Sequence, residues 1–255
     1  IHLMKILLTG SSGFVGIYLS KKLNELGNTV VGIDKNYSEN KYLNQFFQYD
    51  LSDLKFNEIK EKPAFKNLDI LIHCAAAKGD YNLTSNDFYV DNVKASEGVI
   101  KFAETFDIKN IIHFSTVSVY GHDNVLFNEN ADLNPNNPYG VTKLKSENLF
   151  IKWFNLDSIN NKLTILRPSV IYGENNFANM YNLLNQLNKK LPVSVGNGDY
   201  IKSMVAVENI VDITIFSLTK LEGLQIYNCT DKPYPKLSEV INYISEVEGF
   251  SKPKI

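Results

Sequence analysis

Thr116, Tyr139 and Lys143 bring together a hydroxyl donor, an activatable phenol and a cation, downstream of a glycine-rich loop at the N-terminus. Those are the parts of a hydride-transfer site. They sit in Phe114-Ser115-Thr116-Val117-Ser118-Val119-Tyr120-Gly121 and in Pro138-Tyr139-Gly140-Val141-Thr142-Lys143. The Tyr-x-x-x-Lys spacing also occurs at Tyr18/Lys22 and Tyr37/Lys41, so spacing alone does not choose. Context does. Tyr18 falls inside the helix expected after the glycine loop and Tyr37 in a polar loop, whereas Tyr139 follows Pro138 at the start of a long helical pattern that puts Tyr139 and Lys143 on one face.

The glycine loop reads Thr9-Gly10-Ser11-Ser12-Gly13-Phe14-Val15-Gly16, after an apolar run and before a helical one. Glycine lets a helix N-terminus and its free N–H groups approach a pyrophosphate closely. Asp34 follows Gly10 by 24 residues, where a carboxylate accepts hydrogen bonds from an adenosine ribose and repels a 2′-phosphate. NAD is therefore expected over NADP, with Lys35 as a counter-signal. Asp50-Leu51 closes a later strand against the adenine, and Ala75-Ala76-Ala77 offers small side chains where a cofactor backbone passes the sheet.

The elements around these residues alternate. Strands are expected over residues 5–9, 29–33, 46–49, 69–74, 111–114 and 163–166, and helices over 14–26, 87–106 and 138–156. That rhythm predicts an α/β fold, a doubly wound, mostly parallel Rossmann-type sheet over residues 1–168. Beyond Pro168 the rhythm breaks into helices over 177–189, 207–218 and 237–247 and short strands over 193–195, 201–205 and 226–228. A smaller mixed substrate lobe is expected over 169–255, with elements free to interleave.

Composition narrows the partners. Lys plus Arg number 26 against 28 Asp plus Glu in 255 residues, with no basic stripe, which argues against nucleic acid and anionic membranes. Cys74 and Cys229 form no Cys-x-x-Cys pair, and His2, His73, His113 and His122 lack the spacing of a zinc site, so no metal is expected. No stretch of eighteen apolar residues and no signal-peptide pattern is present. A reduced, cytoplasmic protein is the reading, with Met4 as the start and Ile1 to Leu3 as an appendage. Arg167 is the only arginine, read as compositional bias.

With these residues assembled, the chain resembles the extended short-chain dehydrogenase/reductases, and within them the NAD-dependent epimerase/dehydratase family of UDP-glucose 4-epimerase type. The resemblance spans the glycine loop, Asp34, Asp50-Leu51, Ile72-His73-Cys74-Ala75-Ala76, Asn92, Ser115-Thr116, Val119-Tyr120-Gly121, Tyr139 with Lys143, Arg167-Pro168, Tyr172-Gly173, Gly196-Asn197-Gly198 and Lys202-Ser203-Met204-Val205. It implies Tyr139 as acid/base on a substrate hydroxyl, Thr116 hydrogen-bonded to the same oxygen, and Lys143 on the nicotinamide ribose, acidifying Tyr139. Bringing a phenol from about 10 to about 7 needs roughly 4 kcal/mol, which one cation about 4 Å away supplies at an effective dielectric of about 20. The implied NAD contacts are Gly10, Ser12, Gly13, Phe14, Val15, Gly16, Asp34, Asp50, Leu51, Ala75, Ala76, Ala77, Asn92, Tyr139, Lys143 and Pro168. Lys78 and Lys202 are the implied substrate contacts.

Departures from the family pattern bear on the reaction. Dehydratases carry Asp-Glu after the threonine, and here Val117 and Ser118 stand there, which makes dehydration the least expected reaction. Lys202 stands where epimerases often place an arginine on the substrate diphosphate, and Val170 where many place an amide on the nucleotide sugar. The resemblance implies an NAD-dependent sugar-nucleotide 4-epimerase. A 4-ketoreductase or dehydrogenase shares the same residues, and a non-catalytic dinucleotide sensor needs only the cofactor half. It also implies a homodimer through the helices at 87–106 and 138–156, with Val99, Phe102, Phe106, Leu149, Trp153 and Phe154 available to that interface or to the chain's own sheet.

Overall fold

A computed structural model of the chain describes residues 3–78, 83–121, 125–189 and 198–250. Seven parallel strands form one sheet in the order β3-β2-β1-β4-β5-β6-β9. These are β1 (Lys5–Thr9), β2 (Thr29–Asp34), β3 (Gln45–Gln48), β4 (Ile70–His73), β5 (Asn110–Phe114), β6 (Lys162–Pro168) and β9 (Leu224–Cys229). The strands read as unbroken apolar runs because both faces of the sheet are covered. On one face Leu7, Val31, Leu71, Ile111, Leu163 and Ile165 pack with α4 (Ala95–Thr105) and α5 (Pro138–Leu156). On the other, Ile6, Leu8, Ile70, Ile72, Ile112 and Leu166 pack with α1 (Phe14–Glu25) and α7 (Val207–Leu218).

The connections carry short helices: α2 (Phe56–Ile59) before β4, and α3 (Ser85–Phe88) ahead of α4. The expected helix over 87–106 is interrupted. Between α3 and α4, Tyr89–Lys94 form a six-residue π-helical segment, a wider turn that no periodicity in the sequence marks. It turns Asn92 inward, 1 % exposed, with its side-chain nitrogen donating to Thr142 Oγ1 of α5 at 3.0 Å.

After β6 the chain forms β7 (Val170–Tyr172) and α6 (Asn179–Asn188), then β8 (Met204–Ala206), parallel to β7, and α8 (Leu237–Val247). Leu187 on α6 and Leu237 and Ile241 on α8 close a separate small core. Of the strand expected over 201–205, only Met204 onward is strand, and Ile201 makes a single bridge to Lys236. The strand expected over 193–195 lies outside the described residues, as do Gly196 and Asn197. The segment at 226–228 does not stay with this lobe: β9 pairs with β6, Ile226 opposite Ile165. β6 would otherwise be a bare parallel edge, and β9 satisfies its backbone while Leu224 and Ile226 cover one core and Cys229 the other. Residues beyond 168 are thus shared between the main sheet and the lobe.

Val99, Phe102 and Trp153 are buried against the chain's own sheet, with Phe106 and Phe154 packed beside them. Val99, Phe102 and Trp153 thus take the role of packing on the sheet, and Leu149 is not part of this core.

Gly10 ends β1 with φ of 70°, and a Cβ there would stand 2.6 Å from the backbone nitrogen of Ala75. The turn can therefore lie directly on the end of β4. Gly10→Ala adds both backbone strain and a clash with backbone that cannot move, and should cost about 2–4 kcal/mol together with most dinucleotide affinity. Gly223→Ala is the control: φ is 50° and nothing lies within 4 Å, so about 1 kcal/mol of strain alone is expected. Urea unfolding and calorimetric NAD titration of the two variants check this; equal losses would remove the special role of the close approach.

Candidate active site

A cleft of about 450 Å³ opens where the strand order reverses, between β1 and β4, the place where doubly wound sheets bind ligands. Gly10, Ser12, Gly13, Asp34, Asp50, Leu51, Ala75, Ala76, Ala77 and Lys78 line it, so ten of the residues expected from the sequence meet in one cavity. Gly13 caps α1 without any side-chain hydrogen bond to the first turn. The N–H groups opening α1 are left for an anion, favoured further by the helix dipole. Phe14 and Val15 pack their side chains beside the α7 face of the core, leaving their backbone to the loop.

Asp34 is buried and binds the loop to the end of β2: Oδ2 accepts from Ser12 N at 3.0 Å and Oδ1 from Asn36 N at 2.9 Å. Each oxygen keeps a lone pair for a ribose hydroxyl. The ammonium of Lys35 is engaged by Asp91 at 2.5 Å, so the adjacent cation is not free for a 2′-phosphate and NAD fits better than NADP. Asp50 caps the turn Leu51–Asp53 through Ser52 N at 2.8 Å. Gly98 of α4 lets that turn pack closely, since a Cβ there would collide with the carbonyl oxygen of Leu51.

Asn92 takes another part. Its Oδ1 accepts from Ala77 N at 2.8 Å while its amide nitrogen donates to Thr142, so it braces the alanine loop against α5. Pro168 lies in the β6 ladder opposite Cys229. Neither is among the residues lining the cleft.

The reactive triplet is held from two elements. Thr116 caps the 3₁₀ turn Val117–Tyr120, its Oγ1 accepting from Ser118 N at 3.1 Å. Asn137 caps α5 through Gly140 N at 2.8 Å, with Pro138 in the first turn. Tyr139 is half-buried. Burial raises its phenol above the ordinary value near 10, and a hydrogen bond with Thr116 opposes that rise. Lys143 is 1 % exposed and donates to the carbonyl oxygen of Phe114 at 2.6 Å. Burial brings its ammonium down to about 8, against the attraction of Glu147 and Cys74. Lys143 is not among the groups that shift Tyr139, and its ammonium is held by the Phe114 carbonyl. The lysine is spent on the end of β5, and the phenol is held protonated.

A buried polar chain that the sequence reading did not find lies beside Lys143. Thr9 Oγ1 meets His73 Nδ1 at 2.7 Å, His73 Nε2 meets Ser96 Oγ at 3.4 Å, Ser96 Oγ meets Ser146 Oγ at 2.6 Å, and Ser146 Oγ meets His113 Nε2 at 3.2 Å. The two imidazoles stack with centroids 5.3 Å apart. Burial first, and then the Lys143 charge, keep both well below the ordinary histidine range, so they act as neutral hydrogen-bonding spacers. Among the described residues no group of three or more His, Cys, Asp or Glu side chains could hold a metal ion.

Lys78 is exposed at the cleft rim. Lys202 is half-buried just ahead of β8, its ammonium lowered by burial. Among the described residues no carboxylate pairs with it.

The sequence profile of the NAD dependent epimerase/dehydratase family matches residues 6–230. The chain belongs to that family. It is 33% identical over 251 residues to the N-acetyl-alpha-D-glucosaminyl-diphospho-ditrans,octacis-undecaprenol 4-epimerase of Escherichia coli O157:H7, covering 98% of this chain and 73% of that protein. It is 28% identical to the putative UDP-glucose 4-epimerase of Methanocaldococcus jannaschii, over 96% of this chain and 83% of that protein. Its fold is that of the Bacillus cereus UDP-glucuronic acid 4-epimerase solved with NAD: TM-score 0.84, 23% identity, 98% of this chain and 85% of the other. The family's cofactor is NAD, and the open helix N-terminus, the glycine cradle that a Cβ would fill and a carboxylate with spare acceptors fit such a dinucleotide. No helix among the described residues is long and apolar enough to cross a membrane.

The depressed Lys143 gives a stability signature. Below pH 8 the folded cofactor-free protein holds a buried charge; the unfolded chain keeps that lysine protonated up to about 10.5. Between those values the unfolded state binds more protons, so stability rises with pH, by roughly 3 kcal/mol in all. In Lys143→Met that rise is absent. Urea unfolding of both proteins across this window should show the stability difference moving by roughly 3 kcal/mol in favour of the unmodified chain as pH increases; a difference constant to within about 1 kcal/mol would place Lys143 at its ordinary value.

Proposed function

We propose that this chain is an NAD-dependent sugar-nucleotide 4-epimerase, in which Thr116, Tyr139 and Lys143 are the catalytic residues. The observation that carries the reading is the placement of Tyr139 on α5 one turn ahead of the buried Lys143, whose ammonium reaches the Phe114 carbonyl at the end of β5, two residues before Thr116. NAD, when bound, supplies a hydride acceptor that returns the hydride and a positive charge near the phenol. Tyr139 Oη takes the proton of the sugar 4-hydroxyl and later gives it back, while Thr116 Oγ1 orients that oxygen. Because burial keeps the phenol protonated, it becomes a base only when positive charge stands against it, from Lys143 turned away from Phe114 or from oxidised cofactor. Proton removal is thereby tied to the oxidised state, as a reaction that removes a hydroxyl proton and a C4 hydride together requires.

Two features favour epimerisation over dehydration and nucleotide sugars as substrates. The turn after Thr116 carries Val117 and Ser118, with no carboxylate to eliminate water. Lys202, half-buried and among the described residues without a carboxylate partner, suits a substrate diphosphate, with Lys78 at the rim of the cleft as a second substrate contact. The lobe formed by β7, β8, α6 and α8 is the substrate-binding part. A cytoplasmic location and pairing of two copies through the outer faces of the helices at 85–105 and 138–156, where Tyr89 is exposed, complete the proposal.

Loaded with NAD and given UDP-glucose, UDP-N-acetylglucosamine and UDP-glucuronic acid in turn, the protein should convert at least one to its 4-epimer with no net change in reduced-nicotinamide absorbance. Sustained NADH production or consumption coupled to turnover would make it a ketoreductase or dehydrogenase. Tyr139→Phe should lower kcat by about a thousandfold with NAD affinity nearly unchanged, and retained activity would remove Tyr139 from the mechanism. Light scattering should give twice 28.9 kDa; the monomer mass would defeat the pairing.

A further inference from the structure

The chain's single arginine is buried with each of its three side-chain nitrogens hydrogen-bonded. Arg167 on β6 donates from Nε to Glu147 Oε1 at 3.0 Å and from Nη2 to Glu147 Oε2 at 2.7 Å. Its third nitrogen, Nη1, donates to Tyr120 Oη at 2.8 Å. Arg167 is 2 % exposed and Glu147 0 %. Three directed donors in one plane are a guanidinium property, and in a chain that otherwise uses lysine throughout the exception marks a geometric demand.

Both partners of Arg167 belong to the elements that hold the reactive triplet. Glu147 lies four and eight residues beyond Lys143 and Tyr139, on the same face of α5. Tyr120 ends the turn that Thr116 begins. A lysine four residues before a glutamate would ordinarily close on it. Here it does not. The fork of Arg167 occupies both carboxylate oxygens, and Lys143 is left to donate to Phe114 O instead. Tyr120 passes the contact on, donating to Asn228 Oδ1 at 2.8 Å, while Asn228 N donates to Glu129 at 2.7 Å and the Phe127 ring stacks on Tyr120.

We propose that Arg167 is a positioning residue for hydride transfer: it fixes the face of α5 carrying Tyr139 and Lys143 against the turn carrying Thr116, and it keeps the Glu147 carboxylate from capturing Lys143. This rests on the catalytic reading of the triplet, whose own test is Tyr139→Phe; if that variant keeps its activity the catalytic reading fails, whatever Arg167 does.

The experiment uses the NAD-loaded full chain and the nucleotide sugar it epimerises fastest. Arg167→Lys, which keeps the charge but loses the fork, should lower kcat at least about tenfold with KM changed less than about threefold. Glu147→Gln keeps the shape and leaves the always-charged Arg167 unneutralised two turns from Tyr139. That uncompensated positive charge should move the acidic limb of the kcat profile to lower pH. Tyr120→Phe removes one hydroxyl and little volume, and keeps the test decisive where the charge variants do not fold: kcat should fall at least about fivefold in correctly folded protein. Arg167→Lys and Glu147→Gln with kcat within about twofold and an unmoved limb, or an unaltered Tyr120→Phe where those two do not fold, would overturn the proposal and leave the cluster a role in folding alone.

Discussion

One row of the parallel sheet sets the rest of the molecule. Phe47, Ile33, Thr9, His73, His113, Ile165 and Ile226 stand opposite one another across all seven strands. The residues just beyond that row therefore emerge together at one edge: Gly10 after Thr9, Asp34 after Ile33, Cys74 after His73, and Thr116 three after His113. A slip of one residue in any pair would turn the side chains of that strand to the opposite face. The glycine loop, Asp34 and Thr116 are adjacent because the strands are in register.

Holding that edge costs buried polarity. Lys143, Glu147 and Arg167 are almost fully enclosed, and burying charge is unfavourable unless it is paired and hydrogen-bonded. Glu147 and Arg167 satisfy each other bidentately. Among the described residues Lys143 donates to the Phe114 carbonyl alone, and burial lowers its ammonium. The neutral His73–Ser96–Ser146–His113 chain fills the space between β4, β5 and the helices without adding charge. The result is a phenol displaced upward, which a positive charge beside it would offset, and a lysine displaced downward, which a further oxygen acceptor would offset.

Much of this was legible in the sequence, for physical reasons. Strand ends were marked by Gly10 and Asp34, and the helix of Tyr139 by Pro138 and an apolar rhythm, all of them local signals. The glycine loop, Asp34, Asp50-Leu51 and the alanine run converge on one cleft because their order along the chain follows the order of parallel strands. What escaped depended on contacts distant in sequence. The π segment at Tyr89–Lys94 shows no period of its own and exists to bring Asn92 to Ala77 and Thr142. β9 read as part of the lobe because a six-residue strand carries no sign of which edge it will cover. Arg167 looked like bias until Glu147 and Tyr120 stood beside it, and Lys143 could not be seen to prefer Phe114 over Tyr139.

The central claim is that the sugar is oxidised at C4 and the same hydrogen returns to the opposite face. Its most direct measurement follows a UDP-hexose deuterated at C4, incubated with the NAD-loaded protein in ordinary water, with the product read by NMR. The structure predicts an inverted C4 that still carries deuterium, with none released to solvent. Inversion with hydrogen from water at C4, or deuterium found in a dissociated reduced dinucleotide, would contradict it.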